Sequence, residues 1–145
     1  MNATEERLER LCAATLAAPT WQRVWREGIA PQLNVTGLTA LLDALREDSP
    51  RLIQGATVEP PPLPACADWP VECACVLGYA LWHGERLKTV ADLERRFAEV
   101  CAECDRRMGE PASVRWLLNW ADETPRVEMR LALATEVNRA LARRE

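Results

Sequence analysis

Six cysteines and a single histidine are the side chains of this 145-residue sequence best suited to gather chemistry around a metal or a thiolate. Cys73-x-Cys75 and Cys101-x-x-Cys104 form two short pairs, with Cys66 and His83 in reserve. Four such thiolates are the ligand set of a tetrahedral structural zinc. Their context points elsewhere, because both pairs fall in stretches that read as helical rather than on a tight polar turn. Helical residues two apart diverge by about 200°, so Cys73 and Cys75 would not converge on one ion. Cys101 and Cys104 share a face, but it is the apolar one, where a reduced cysteine packs as a small hydrophobe. A disulfide between the two helices is the remaining alternative. A redox pair is disfavoured, since Cys101 and Cys104 sit in mid-helix with Glu99 and Glu103 nearby to oppose a thiolate. We expect no bound metal and no cofactor.

His83 sits at the end of an apolar helix beside Gly84, where it can cap carbonyls and complement the dipole. Cys75 lies eight residues earlier, too far along one helix to form a Cys–His couple. Glu72, near the start of the same stretch, could be a desolvated acid, although a carboxylate in a first turn is ordinary. Phosphate loops, nucleophile elbows, HExxH and dinucleotide fingerprints are all missing. The expectation is a protein without catalytic activity of its own.

Six tryptophans against one Phe and one Tyr make aromatic recognition the other chemistry to weigh. Trp21/Trp25 and Trp116/Trp120 repeat an i, i+4 spacing, so each pair shares a helix face. Arg115 is next to the second pair. Tryptophan and arginine dominate interface hot spots, which makes Trp21, Trp25, Trp116, Trp120 and Arg115 the candidate partner-binding set. Core packing with the indole N–H satisfied at an edge is the competing reading. A stacking platform for bases is the third, and the acidic balance argues against it.

These side chains must be positioned by helices. The stretch from Trp69 to Gly84 carries one charge after its first residues and is apolar on every helical face, as in an element buried all round. Asp68 as cap, Pro70 in the first turn and Gly84 as stop predict a central helix over about 70–83, with a buried strand as the alternative. About a dozen apolar residues are too few to cross a bilayer. Before it, helices are expected from Thr4 to Leu16, from Thr20 to Gly28, and from Gly37 to Glu47 capped by Thr36. The last of these has Leu38, Leu41, Leu42 and Leu45 as its stripe. Asp48-Ser49-Pro50 breaks that helix, and residues 51–58 are extended without an evident partner strand.

Residues 59–64, EPPPLP, form a stiff proline-rich crossing between front and back halves. Neither half is large enough for an independent core. After the central helix, Thr89 with Asp92 resembles a capping box, and Gly109 ends the helix it starts. Pro111 opens the next helix, and Thr124-Pro125 the last. On the last helix Val127, Leu131, Ala134, Val137 and Leu141 are expected to face inward, leaving Met129 and Leu133 for a second copy. The fold class is all-α: one helical domain over 1–145, a compact bundle of six or seven helices around the central one.

The formal charge of −4 offers no general attraction to nucleic acid or an anionic membrane. Residues 1–84 hold 10 acidic and 6 basic side chains, and residues 85–145 hold 12 of each. The acidic front, including Glu5, Glu6 and Glu9, suits a basic partner. All but one of the 18 basic residues are arginine, Lys88 being the exception. The charged N-terminus, MNATEERLERL, lacks the apolar run of a secretion signal, which predicts a cytoplasmic protein with reduced thiols. The expected function is a protein-binding module: an adaptor, inhibitor or regulatory subunit, with a homodimer as one arrangement. The alternative is a DNA-binding regulator using a helix-turn-helix-like pair at 89–121 with Arg106, Arg107, Arg115 and Arg126, with a structural zinc as an added element.

Overall fold

A computed structural model describes residues 20–55, the backbone of residues 58 and 59, and residues 68–144. The helix expected from Thr4 to Leu16, the acids Glu5, Glu6 and Glu9, Cys66, and the crossing beyond Glu59 lie outside the described residues.

The helix that begins at Thr20 does not stop at Gly28. Helix α1, Thr20–Arg23, widens into a π-turn over Val24–Ile29 and then tightens to a 3-10 turn over Ala30–Gln32. Gly28 is there for packing rather than termination. A Cβ at this position would lie 2.5 Å from Cys104 Sγ, so only glycine lets the two elements approach. Gln32 Nε2 donates to Gly28 O at 2.7 Å and Val100 O at 3.0 Å, pinning the turn to its neighbour.

Helix α2, Val35–Glu47, is capped by Asn34 and not by Thr36. Asn34 Oδ1 accepts from Gly37 N at 2.8 Å, while its Nδ2 donates to Gly84 O at 2.8 Å. One side chain therefore closes two helix ends, a service that the shorter Thr36 hydroxyl cannot provide. The leucine stripe is buried as expected, and the helix ends where Asp48 turns left-handed at φ 54°.

The central helix is shorter than its capping signals suggest. Helix α3 spans Val76–Gly84, and the residues before it are extended. The expected start at Pro70 is overturned by hydrogen bonds to distant segments. Val71 N donates to Lys88 O at 3.2 Å, and Ala74 exchanges bonds of 2.9 and 3.0 Å with Arg51 O and Ile53 N. Strand β1, Val58–Glu59, pairs antiparallel with β2, Cys73–Ala74. The partner that residues 51–58 lacked in sequence thus lies inside the stretch that reads locally as helix. From Val76 to Leu81 every side chain of α3 is buried, as its uniform apolarity requires.

Helix α4, Val90–Met108, starts on Thr89, whose hydroxyl accepts from Asp92 N at 3.1 Å, and ends on Gly109 at φ 74°. Helix α5, Val114–Glu123, begins three residues after Pro111. Its start is imposed by α4: Asp105 accepts from Ala112 N and Val114 N, both at 2.9 Å. Gln54 closes its far end by donating to Ala121 O and Thr124 O at 2.7 and 2.8 Å. Helix α6, Arg126–Ala142, follows Pro125, which occupies the cap position itself.

The inward face of α6 differs from the expected one. Met129, Leu133 and Val137 are fully buried, whereas Val127 and Leu131 are 62% and 69% exposed. This helix is apolar on more than one side, so hydrophobicity alone leaves its rotation open. Polar anchors decide it. Arg126 Nε holds Asp48 at 2.6 Å, Arg130 Nε donates to Leu45 O at 2.7 Å, and Glu136 receives both branches of Arg26 at 2.7 Å.

Six helices are present among the described residues, and two-residue strands supply the only sheet there. One continuous core runs from Trp21 to Val137. The fold is all-α, a compact helical bundle. No helix among the described residues is long and apolar enough to cross a membrane.

Candidate functional site

The five candidate recognition residues divide by depth. Trp25 is 1% exposed and its indole N–H donates to Glu136 O at 3.4 Å. Trp21 is also a core residue, stacked on Trp120 with ring centroids 3.6 Å apart and an interplanar angle of 5°. Trp120 is half-buried beneath that stack. Trp116 is 59% exposed, and Arg115 beside it is exposed as well. The i, i+4 spacing carried no information on depth: Trp116 meets solvent while Trp120 is half-buried against Trp21. Trp116 lies outward because Val114, Leu117 and Ala121 take the buried stripe of α5.

This outer face is carried on a firmly held helix. Asp105 fixes its first turn, Gln54 its last, and the Trp21–Trp120 stack its middle. A large amphipathic ring on such a support loses little conformational freedom on contact, which is the property that makes tryptophan an anchor.

The cysteines lie in two environments. Cys73 is half-buried on β2 and Cys75 buried at the N-cap of α3. Cys101 and Cys104 face the core from α4. All four are free thiols. Cys75 occupies the helix N-terminal position that lowers a thiol pKa in reactive sites. Burial outweighs the amides of Gly78 and Leu77 there, and its pKa rises to about 11. Burial also raises Cys101 to about 12, with its thiol neighbours Cys104 and Cys75 adding to it. Burial thus favours the protonated thiol at Cys75 and Cys101. Among the described residues no three His, Cys, Asp or Glu side chains gather closely enough to hold a metal ion.

His83 does not cap the end of α3. Its ring lies 4.4 Å from that of Tyr79 and 4.3 Å from that of Trp82, and its buried Nε2 has no hydrogen-bond partner. The helix end is closed instead by Glu85 N and Leu87 N, which donate to Leu81 O and Trp82 O. Glu72 is exposed on the extended segment, so it is neither desolvated nor in a first turn.

Of the arginines named for a groove, Arg106 and Arg107 share one carboxylate, Arg126 pairs with another, and Arg115 is exposed. Arg106 and Arg107 both bind Glu103, and together they hold its carboxyl down at about 2. Arg126 is engaged with Asp48 and with Ser49 O. Ser113, near the start of the second helix, is buried and donates to Glu110 O.

What sequence reasoning missed is the pair Arg26–Glu136, whose partners are 110 positions apart. Glu136 is 3% exposed. Its only sequence signal is a carboxylate next to Val137 on a helix whose apolar faces compete. Comparison with family models, with curated proteins and with solved structures gives no match.

Proposed function

We propose that this chain is a protein-binding module, an adaptor, inhibitor or small regulatory subunit without catalytic activity of its own, acting in the cytoplasm. Its partner docks on the outer face of α5. The observation that carries this reading is Trp116, 59% exposed beside Arg115 on a helix fixed at both ends and along its middle. The chemistry offered is a flat apolar anchor flanked by a guanidinium, which suits an apolar pocket with a carboxylate at its rim.

The pairing of Arg106 and Arg107 with Glu103, and of Arg126 with Asp48, supports a protein partner over duplex DNA. A groove-binding helix needs its cations free for phosphates. Here the pairs break up what would be a basic stripe, and Ser113 is turned into the core.

The test is affinity capture followed by reconstitution with the purified partner. Trp116→Ala should weaken the reconstituted complex about 30-fold, a hot-spot loss of about 2 kcal/mol, with the melting temperature unchanged. Trp69→Ala, at an exposed tryptophan elsewhere, should leave the affinity alone. Undiminished binding by Trp116→Ala would exclude the α5 face.

A further inference from the structure

Most arginines among the described residues are tied to acids or carbonyls. Arg139 and Arg143 are exceptions, one turn apart near the end of α6. Among the described residues neither side chain makes an ion pair or hydrogen bond. Like charges at this spacing cost a helix stability. The helix dipole explains a cation at a C-terminus, but not why both line a cavity.

That cavity, ≈ 160 Å³ in volume, lies between the end of α6 and the π-turn. Trp25 and Ala140 give it an apolar wall, and Arg26 and Arg144 share its lining with Arg139 and Arg143. Among the described residues that line it Glu136 is the single acid, and Arg26 neutralises it through two bonds of 2.7 Å. Arg144 is held in place by donating to Leu33 O at 2.7 Å and Ala30 O at 2.6 Å. Among the described residues the field left over is therefore positive and comes from fixed and free guanidinium groups together. Guanidinium forks match carboxylate and phosphate oxygens in geometry as well as charge. The volume is close to the roughly 150 Å³ that admits a benzene ring. The element that brings Trp25 and Arg26 here is a π-turn, a form that recurs at functional sites.

We propose that this cavity binds a small organic anion: one carboxylate or phosphate on a compact apolar body. The oxyanion meets Arg139 and Arg143, and the apolar body lies against Trp25 and Ala140. This site is separate from the face of α5 and stands without it.

The experiment follows the indole N–H resonance of Trp25 while benzoate, phenyl phosphate or inorganic phosphate is added at constant ionic strength. Benzoate or phenyl phosphate should shift it saturably, and the stronger of the two identifies the oxyanion. Arg139→Gln and Arg143→Gln should each weaken that response at least tenfold with an unchanged melting temperature, since neither side chain bonds to another described residue. Arg95→Gln, on the exposed face of α4, should change nothing. Three results would overturn the proposal: no saturable shift at millimolar aromatic anion, undiminished binding when both arginines are replaced, or inorganic phosphate binding as tightly as phenyl phosphate. The last would remove the apolar half of the site.

Discussion

Protonating His83 would put a charge on a ring packed against Tyr79 and Trp82, with a buried Nε2 that has nothing to donate to. Burial, and then the positive charge of Arg51, hold its pKa below the ordinary histidine value. The unfolded chain, with a pKa near 6.5, therefore binds this proton more readily than the folded one. Stability must fall as the pH drops through about 6.5, and the loss levels off once the folded pKa is passed. Urea midpoints measured between pH 7.5 and 5.5 should show the decline. His83→Phe, which keeps a ring in the stack but cannot titrate, should flatten it. An unchanged slope in that variant would place the titrating group elsewhere. The sequence marked His83 as the residue at the end of an apolar run and suggested a cap. It held no sign of the stack, since Leu81 O and Trp82 O are already served by backbone amides.

Helices α2 and α3 cross where Gly37 and Gly84 face each other. A Cβ on Gly84 would stand 2.6 Å from Asn34 Oδ1 and 2.9 Å from the Gly37 Cα, and one on Gly37 would strike Ala80 O. Backbone cannot yield as a flexible side chain does, so the helices would have to separate and Asn34 would lose its bond to Gly84 O. Overpacking of this kind costs about 1–3 kcal/mol, more than the propensity that alanine gains over glycine in a helix, about 1 kcal/mol. Gly84→Ala should therefore lower the urea midpoint; a rise would show that the crossing has slack. The legibility of the elements follows the same division between local and distant causes. The stripe of α2 could be read from its leucine period, and the ends of α2 and α4 from local signals at Asp48, Thr89 and Gly109. The start of α3 could not, because Arg51, Ile53 and Lys88 supply its competing backbone partners. The rotation of α6 could not either. It rests on Asp48, Leu45 O and Arg26, all contributed by the front of the chain. Of the candidate site, the residue types were legible and their depth was not: Trp25 and Trp116 look alike in sequence and differ in the structure from 1% to 59% exposure.

At the scale of the molecule, the proline-rich crossing suggests two halves, and the packing joins them. Trp21 from the front stacks on Trp120 from the back, Trp25 donates to Glu136 O, and α2 is clasped by both α3 and α6. Leu52, 1% exposed, rests beside Ala74 through a backbone bridge. Removing either half would expose the other's inner surface, including Met129, Leu133 and Val137 on one side and Leu38, Leu41 and Leu45 on the other. Interleaving of this kind among the described residues leads to the expectation that unfolding is a single cooperative event. Far-UV circular dichroism reports all the helices, while tryptophan fluorescence is weighted to the junction at Trp21, Trp25 and Trp120. The two signals should trace superimposable urea curves with one midpoint. A fragment of residues 68–144 should show no cooperative transition of its own, because the face of α6 that packs on α2 would be bare. Separate midpoints, or a sharp transition in that fragment, would mean that the back half carries its own core and that the contacts across the tryptophan stack are an interface between two domains.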